Sequence, residues 1–279
     1  MRYGVFGISF ILHRVKFSLM VNSSRRRGSQ REILTNHNRC WIWGRHVVLE
    51  TLRAGRWPIL ELCVSDQLGH ELKAEVWRLA GLHGVETTVV NDQAIAKSCH
   101  SGEHQGFAAR MSPFPCFSLE ELQANWPANP LLVVLDRLQD PYNFGAIVRS
   151  ASALGLDGIV MGTKGQVAVN SLVARSSAGA INHIPIARTE SLGEAIDSLR
   201  GFGFQIVAAS EKGSTKLCEA DFGRPTVAII GNEGDGIQPA LLKRCDLALR
   251  IPMSGQVGSL NAAVAASVLF YEMRRQRQN

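Results

Sequence analysis

Asn143, Arg149, Glu233, Ser259 and Asn261 stand in three stretches whose composition departs from the rest of the chain. The first is Asp136–Arg149, DRLQDPYNFGAIVR, in which Pro141 and Gly145 bracket Asn143. Arg149 lies six residues beyond Asn143, about one and two-thirds helical turns on. Taken singly, Asn143 reads as a helix cap or a site amide, and Arg149 as a surface ion pair or a site cation. The second stretch is Gly231-Asn232-Glu233-Gly234-Asp235-Gly236. Its three glycines let backbone approach a ligand closely, or serve a tight turn alone. It lacks the lysine of a phosphate-cradling GxxxxGK[ST] loop and is not GxGxxG. The third is Ile251–Ala262, IPMSGQVGSLNA, shaped by Pro252, Gly255 and Gly258. It sets Ser259 and Asn261 at the start of a helix, where unpaired N–H groups point outward.

The flanking elements explain why these stretches would converge. Leu131–Leu135 is an apolar run without polar alternation, as expected of a parallel strand covered on both faces. Similar runs recur at 158–161, 204–208, 226–230 and 247–251, with helical patterns between them at 144–154, 171–178, 192–200 and 239–244. A closing helix is expected over Leu260–Arg275, with Ser259 as its cap. The pattern predicts a mostly parallel sheet with helices on both faces, binding its ligand at the carboxyl ends of the strands.

A smaller α/β body precedes it. A helix over Val47–Leu52, a strand over Ile59–Val64, a helix over Glu71–Leu82 stopped by Gly84, a strand over Val85–Val90, a helix capped by Asp92 and a strand over Phe107–Met111 suggest three layers. Trp41 and Trp43 read as core residues, or as platforms for stacked bases. Residues 112–130 hold four of the ten prolines and read as a stiff, extended linker. The domains are therefore set at 40–111, 112–130 and 131–279.

Charge adds less than it promises. The net charge is +6, but residues 1–39 carry eight Lys or Arg against one acid, and the other 240 residues carry 22 against 23. The basic surplus belongs to residues 1–39, with Arg25-Arg26-Arg27 at its centre, and this segment reads as a disordered extension. A local patch of Arg45, Arg53, Arg56 and Arg110 is the candidate for RNA phosphates. Six scattered cysteines without CxxC spacing read as reduced thiols, and no metal site is expected. No apolar run reaches eighteen residues, so no membrane span is expected. GxSxG and HExxH do not occur.

The three stretches together resemble one family. NFGAIVR (143–149), IGNEGDGI (230–237) and IPMSGQVGSLNAAVAASVLFYE (251–272) look like the three signature motifs of the SpoU/TrmH group of RNA ribose methyltransferases, within the SPOUT superfamily. In the first body, WGRHVVLETLRAG and HQGFAAR resemble the substrate-binding domain of the bacterial members that methylate a guanosine of 23S rRNA. The tRNA branch generally lacks that domain.

The resemblance implies a small ribosomal-protein-like α/β substrate-binding domain followed by a SPOUT α/β domain with a C-terminal trefoil knot. It implies transfer of a methyl group from S-adenosylmethionine to a ribose 2′-hydroxyl in the cytoplasm, by a homodimer packed through the knots. Asn143, Arg149, Glu233, Ser259 and Asn261 match catalytic or site-shaping positions. Gly231, Asn232, Ile251, Met253 and Leu260 match cofactor contacts. Arg149 would act at the 2′-oxygen, Asn143 would orient it or the ribose, and Glu233 would pair with Arg149 or brace the dimer. A tRNA substrate, or a silent rRNA-binding assembly factor, are the alternatives. Residues 1–39 have no counterpart in the family pattern, and Ala262 stands where the family often has Val.

Overall fold

The structure, a computed structural model, describes residues 40–256 and 258–278. The basic extension at 1–39 lies outside them. The first body is a four-stranded sheet of β1 (Trp41–Trp43), β4 (Phe107–Met111), β2 (Ile59–Ser65) and β3 (Thr87–Val90), in that order. Three helices accompany it: α1 (Arg45–Ala54), α2 (His70–His83) and α3 (Asp92–Cys99). Val47, Leu52, Val76 and Leu79 of α1 and α2 pack on one face with Ile42, Leu62 and Phe107. Ile95 and Cys99 of α3 close the other face with Cys63, Ala108 and the half-buried Trp41 and Trp43. The three layers follow from strands whose alternate residues are apolar on both sides. Gly84, at φ +64°, ends α2 in the left-handed conformation. The cap of α3 differs from expectation. Asn91, not Asp92, accepts the Ala94 N–H, and Asp92 begins the helix.

The second body is a seven-stranded sheet, ordered β7 (Ile186–Thr189), β6 (Gly158–Gly162), β5 (Leu131–Leu135), β10 (Thr226–Ile230), β8 (Gln205–Ala209), β11 (Leu247–Arg250), β9 (Thr215–Lys216). Every pairing is parallel. The two central strands β5 and β10 are buried at all five positions, which is why they read as unbroken apolar runs. Leu131, Val133 and Leu135 face α5 (Pro141–Ala153) and α9 (Ala262–Arg275). Leu132 and Val134 face the other way, toward α7 (Leu192–Gly201) and α8 (Pro239–Leu242). The short strands β1, β7 and β9 are not announced by periodicity.

Residues 112–130 do not run as a free linker. Phe117 N–H donates to the Ile186 carbonyl and Arg188 N–H to the Phe117 carbonyl, so the segment pairs along β7. A short helix, α4 (Leu119–Gln123), follows; Ser118 and Glu121 cap it reciprocally. Among the described residues no helix is long and apolar enough to cross a membrane.

Candidate active site

Because the sheet is parallel, the loops after β5, β10 and β11 all leave at its carboxyl edge. The joint between β5 and β10 is polar and tightly made. Asp136, fully buried, accepts 2.7 Å hydrogen bonds from both the backbone N–H and the Nε2 of Gln238. Arg137, at φ +59°, donates its Nε to the same carboxylate and an Nη2 to the Gly236 carbonyl. A buried carboxylate requires this satisfaction. Sequence reasoning missed the bracket, although an acid directly after an all-apolar run was a signal.

Asn232 holds the glycine-rich turn from within. Its Nδ2 donates to the Arg137 carbonyl and its Oδ1 accepts from the Gly234 and Asp235 N–H groups. Gly231 is required by crowding, since a Cβ there would lie 2.3 Å from the Gly236 carbonyl carbon. The turn therefore explains both residues without a ligand.

The second joint connects three of the candidate residues. Asn143 is buried inside α5 and is not its cap; Asp140 caps the helix by accepting the Tyr142 N–H. The Asn143 Nδ2 donates to Glu233 Oε1 at 3.1 Å, and its Oδ1 accepts from Asn261 Nδ2 at 2.9 Å. Glu233 also accepts the Gln139 and Asp140 N–H groups, so its charge sits at the N-terminus of α5. Asn261, rather than Ser259, caps α9, accepting from the Ala263 and Val264 N–H groups. One amide thus ties the β10 loop to the start of α9.

Arg149 and Ser259 stand apart from this cluster. Glu233 pairs with Asn143 and not with Arg149. Arg149 is exposed on α5, and among the described residues no hydrogen bond or ion pair engages its side chain. The six-residue spacing turns it about 240° from Asn143 around the helix. Ser259 is exposed and likewise unengaged.

The loop before α9 presents the chemistry of a nucleoside-binding surface. Met253 and Leu260 are exposed and Ile251 is half-buried. Among the described residues, no backbone hydrogen bond occupies 252–256 or 258–260. Free backbone donors and acceptors beside exposed apolar side chains suit a flat base with a polar edge. S-adenosylmethionine fits this set. Among the described residues no three His, Cys, Asp or Glu side chains gather to hold a metal.

The arginine patch is mostly spoken for. Arg53 pairs with Glu50 and Glu75, and Arg110 with Glu61. Arg56 donates to the Ile184 carbonyl. Only the Arg45 side chain, of the four, lacks such a partner among the described residues.

An open parallel α/β sheet with ligand loops at its carboxyl edge and a separate α/β body before it defines the class, and comparison with known proteins gives the family. Residues 130–271 match the SpoU rRNA Methylase family, and residues 41–115 match the RNA 2'-O ribose methyltransferase substrate-binding family. A TrmH family tRNA/rRNA methyltransferase of Staphylococcus saprophyticus is 36% identical over 243 residues, covering 85% of this chain and 95% of that one. The SpoU methyltransferase AviRb from Streptomyces viridochromogenes, solved with AdoMet, superposes at a TM-score of 0.73 with 29% identity, over 85% of this chain and 90% of that one. An AdoMet-bound rRNA methyltransferase from Sinorhizobium meliloti superposes at 0.74 with 27% identity, over 85% and 87%. The chain belongs to the SpoU rRNA methylase family. It is an S-adenosylmethionine-dependent RNA methyltransferase.

Proposed function

We propose that the protein methylates a ribose 2′-hydroxyl of RNA, and that its target is a guanosine of 23S rRNA. The observation that carries this reading is the first body, which matches a substrate-binding family of 2′-O ribose methyltransferases and stands beside the Asn143–Glu233–Asn261 bridge in one chain. Bound S-adenosylmethionine supplies a methyl group already activated on a sulfonium. The residues of this chain have to position and to neutralise. Ile251, Met253, Leu260 and the free backbone of their loop hold the nucleoside, beside the turn that Gly231 and Asn232 shape. The bridge keeps that loop in register with the turn at 231–236, so that the acceptor oxygen meets the methyl in line. The Arg149 guanidinium offers hydrogen-bond donors and no acceptor. Its role is to donate to the 2′-oxygen and stabilise the developing alkoxide, while the proton leaves to solvent or a phosphate. Ser259, exposed next to Leu260, is a polar group of the loop and shapes the site there.

The protein acts as a homodimer in this reading. Tyr142 on α5, and Val264, Val268 and Tyr271 on α9, are exposed apolar side chains, and the three on α9 follow the i, i+4, i+7 spacing of one helix face. Arg149 follows Tyr142 by seven residues and shares its face of α5. It would therefore meet its substrate at the subunit boundary. The knot and a cytoplasmic location belong to the same proposal.

The test is methyl transfer from labelled S-adenosylmethionine to purified 23S rRNA, 16S rRNA and bulk tRNA, with mapping of the modified ribose. Label at one 23S ribose is expected. Label on tRNA alone would overturn the substrate. Cofactor binding without label on any RNA or ribosomal particle would overturn the catalytic reading.

A further inference from the structure

Segment 171–184 touches both the catalytic helix and the first body. On one side, α6 (Ser171–Ser176) lies directly on α5: a Cβ added at Gly145 would sit 1.8 Å from Ser176 Oγ and 2.8 Å from the Val173 carbonyl oxygen. On the other side, the turn after α6 is pressed against α1. Gly179, at φ +85°, leaves no room for a side chain, since a Cβ there would be 2.8 Å from Glu50 Cβ. Asn182, almost fully buried, donates to Thr51 Oγ1 at 3.0 Å. Thr51, also buried, donates its own hydroxyl hydrogen bond to the Val47 carbonyl. Next to it His183 meets Glu50 at 3.2 Å.

Two further contacts flank this seam. Arg56 donates to the Ile184 carbonyl, and its guanidinium lies 5.4 and 4.9 Å from the ring centroids of Phe114 and Phe117. Among the described residues its Nε and Nη2 are buried without hydrogen-bond partners, a desolvation cost that the two ring faces offset in part. Arg175 of α6 pairs with Glu103 at 2.9 Å and covers the Trp43 ring at 4.7 Å. Apolar packing is continuous across the seam. One buried cluster contains Val48, Leu52 and Trp57 of the first body together with Val173, Ile181 and Ile184.

We propose that residues 171–184 are a rigid coupler that sets the RNA-binding body at a fixed offset from Arg149 and the cofactor loop, with Asn182 and Arg56 as positioning residues that select which ribose is presented. The inference rests on the 2′-O-methyltransferase reading. Phe117 already pairs along β7, so without the seam the bodies would be joined by a tether of the length of 112–116, whose ends would wander over about 12 Å, roughly three or four stacked base steps. Recognition in the first body could not then choose one ribose. A clamped body can, because the span between recognition and reaction is built into the fold.

The test uses the full chain with Arg56→Ala, Asn182→Ala and the double variant. Deuterium uptake at 180–188 reports whether the seam has loosened. Calorimetry gives the S-adenosylmethionine Kd, and labelled transfer to 23S rRNA gives kcat, KM and the map of modified riboses. The expected result is a KM for RNA raised about tenfold, as the local concentration of the target ribose falls, with additional methylated riboses. Cofactor Kd and kcat at saturating RNA should stay within about twofold, which a general loss of folding would not leave untouched. If the double variant does not fold, the single variants carry the test. Increased deuterium uptake with an unchanged KM and a single modified ribose overturns the coupler alone. A wild-type chain that methylates no RNA overturns the functional reading, and the coupler with it.

Discussion

Replacing Asn143 by alanine removes a side chain that bonds both Glu233 and Asn261. A hydrogen bond to a charged acceptor contributes about 1.5–3 kcal/mol and a neutral one about 0.5–1.5 kcal/mol. Glu233 is exposed, so water replaces part of the first bond, and the expected loss is about 1–3 kcal/mol. That loss falls on the closed arrangement of the two loops. If the cofactor binds this arrangement, its Kd rises about 5–150-fold. Asn143→Asp probes the same geometry by charge. One carboxylate oxygen still accepts from Asn261, while the other replaces the Nδ2 donor and faces Glu233 where the wild-type contact is 3.1 Å. Two carboxylates this close hold a shared proton, so the pair's folded-state pKa is raised. A raised folded value gives stability that is complete below the unfolded carboxylate value of about 4 and is lost as pH climbs through the raised one. Calorimetry with S-adenosylmethionine and urea unfolding, each near pH 5 and near pH 8, separate the two variants. Asn143→Ala should be weak at both. Asn143→Asp should approach wild type at the lower pH and fail at the higher. Cofactor affinity within about twofold of wild type in Asn143→Ala, or no added pH dependence in Asn143→Asp, would refute the bridge.

Four other outcomes are expected. Arg149→Ala should lose methyl transfer while cofactor affinity by calorimetry is unchanged; near-normal turnover would remove Arg149 from the chemistry. Gly145→Ala drives a Cβ into Ser176 and the Val173 carbonyl and should cost about 1–3 kcal/mol; an unmoved urea midpoint would show that α5 and α6 do not meet there. Burial pushes the Asp157 carboxyl up, although it accepts the Leu131 N–H. Its contribution is therefore complete below the unfolded value of about 4 and is lost as pH rises through the raised folded value. Asp157→Asn should flatten the stability profile over that interval, and an identical slope in both proteins would contradict this. Burial pushes the Cys40 thiol up to about 12 and the Cys245 thiol up to about 11, whereas Cys218 is exposed. An aromatic disulfide reagent should label Cys218 of the native protein first, and equally fast labelling of Cys40 would contradict its burial.

The parts of this molecule that were legible in sequence are those whose causes are local. The strands β5 and β10 lie between two helical layers, so burial on both faces writes itself as five consecutive apolar residues. The stop of α2 was readable because its last turn needs a positive φ at Gly84. Caps were less secure. Asn91 and Asp92 are both competent, as are Ser259 and Asn261, and which one accepts the helix N–H groups depends on the angle at which the chain enters. The short strands β1, β7 and β9 carry too few residues for a period to show.

The partners of the site residues were out of reach for a different reason. Asn143 meets Glu233 across 90 positions and Asn261 across 118. Both meetings depend on loops from separate strands leaving the same edge of the sheet. β10 lies beside β5 although β8 precedes it in the chain, and β8 separates β10 from β11. Strand order of that kind is a property of the closed fold. The same holds for Arg56, which has the exposed, phosphate-seeking look of any arginine after a helix until Phe114 and Phe117 close over it. Residue type told which groups were worth watching. It could not tell that Arg56 is enclosed by the segment expected to link the two bodies, whereas the six-residue spacing already turned Arg149 away from the amide expected to orient it. That second fact bears most on function. The Arg149 guanidinium lies on an exposed helix face one heptad beyond an exposed tyrosine, and among the described residues no hydrogen bond or ion pair engages it. In the proposed 2′-O reaction this is the cation that would stabilise the developing alkoxide.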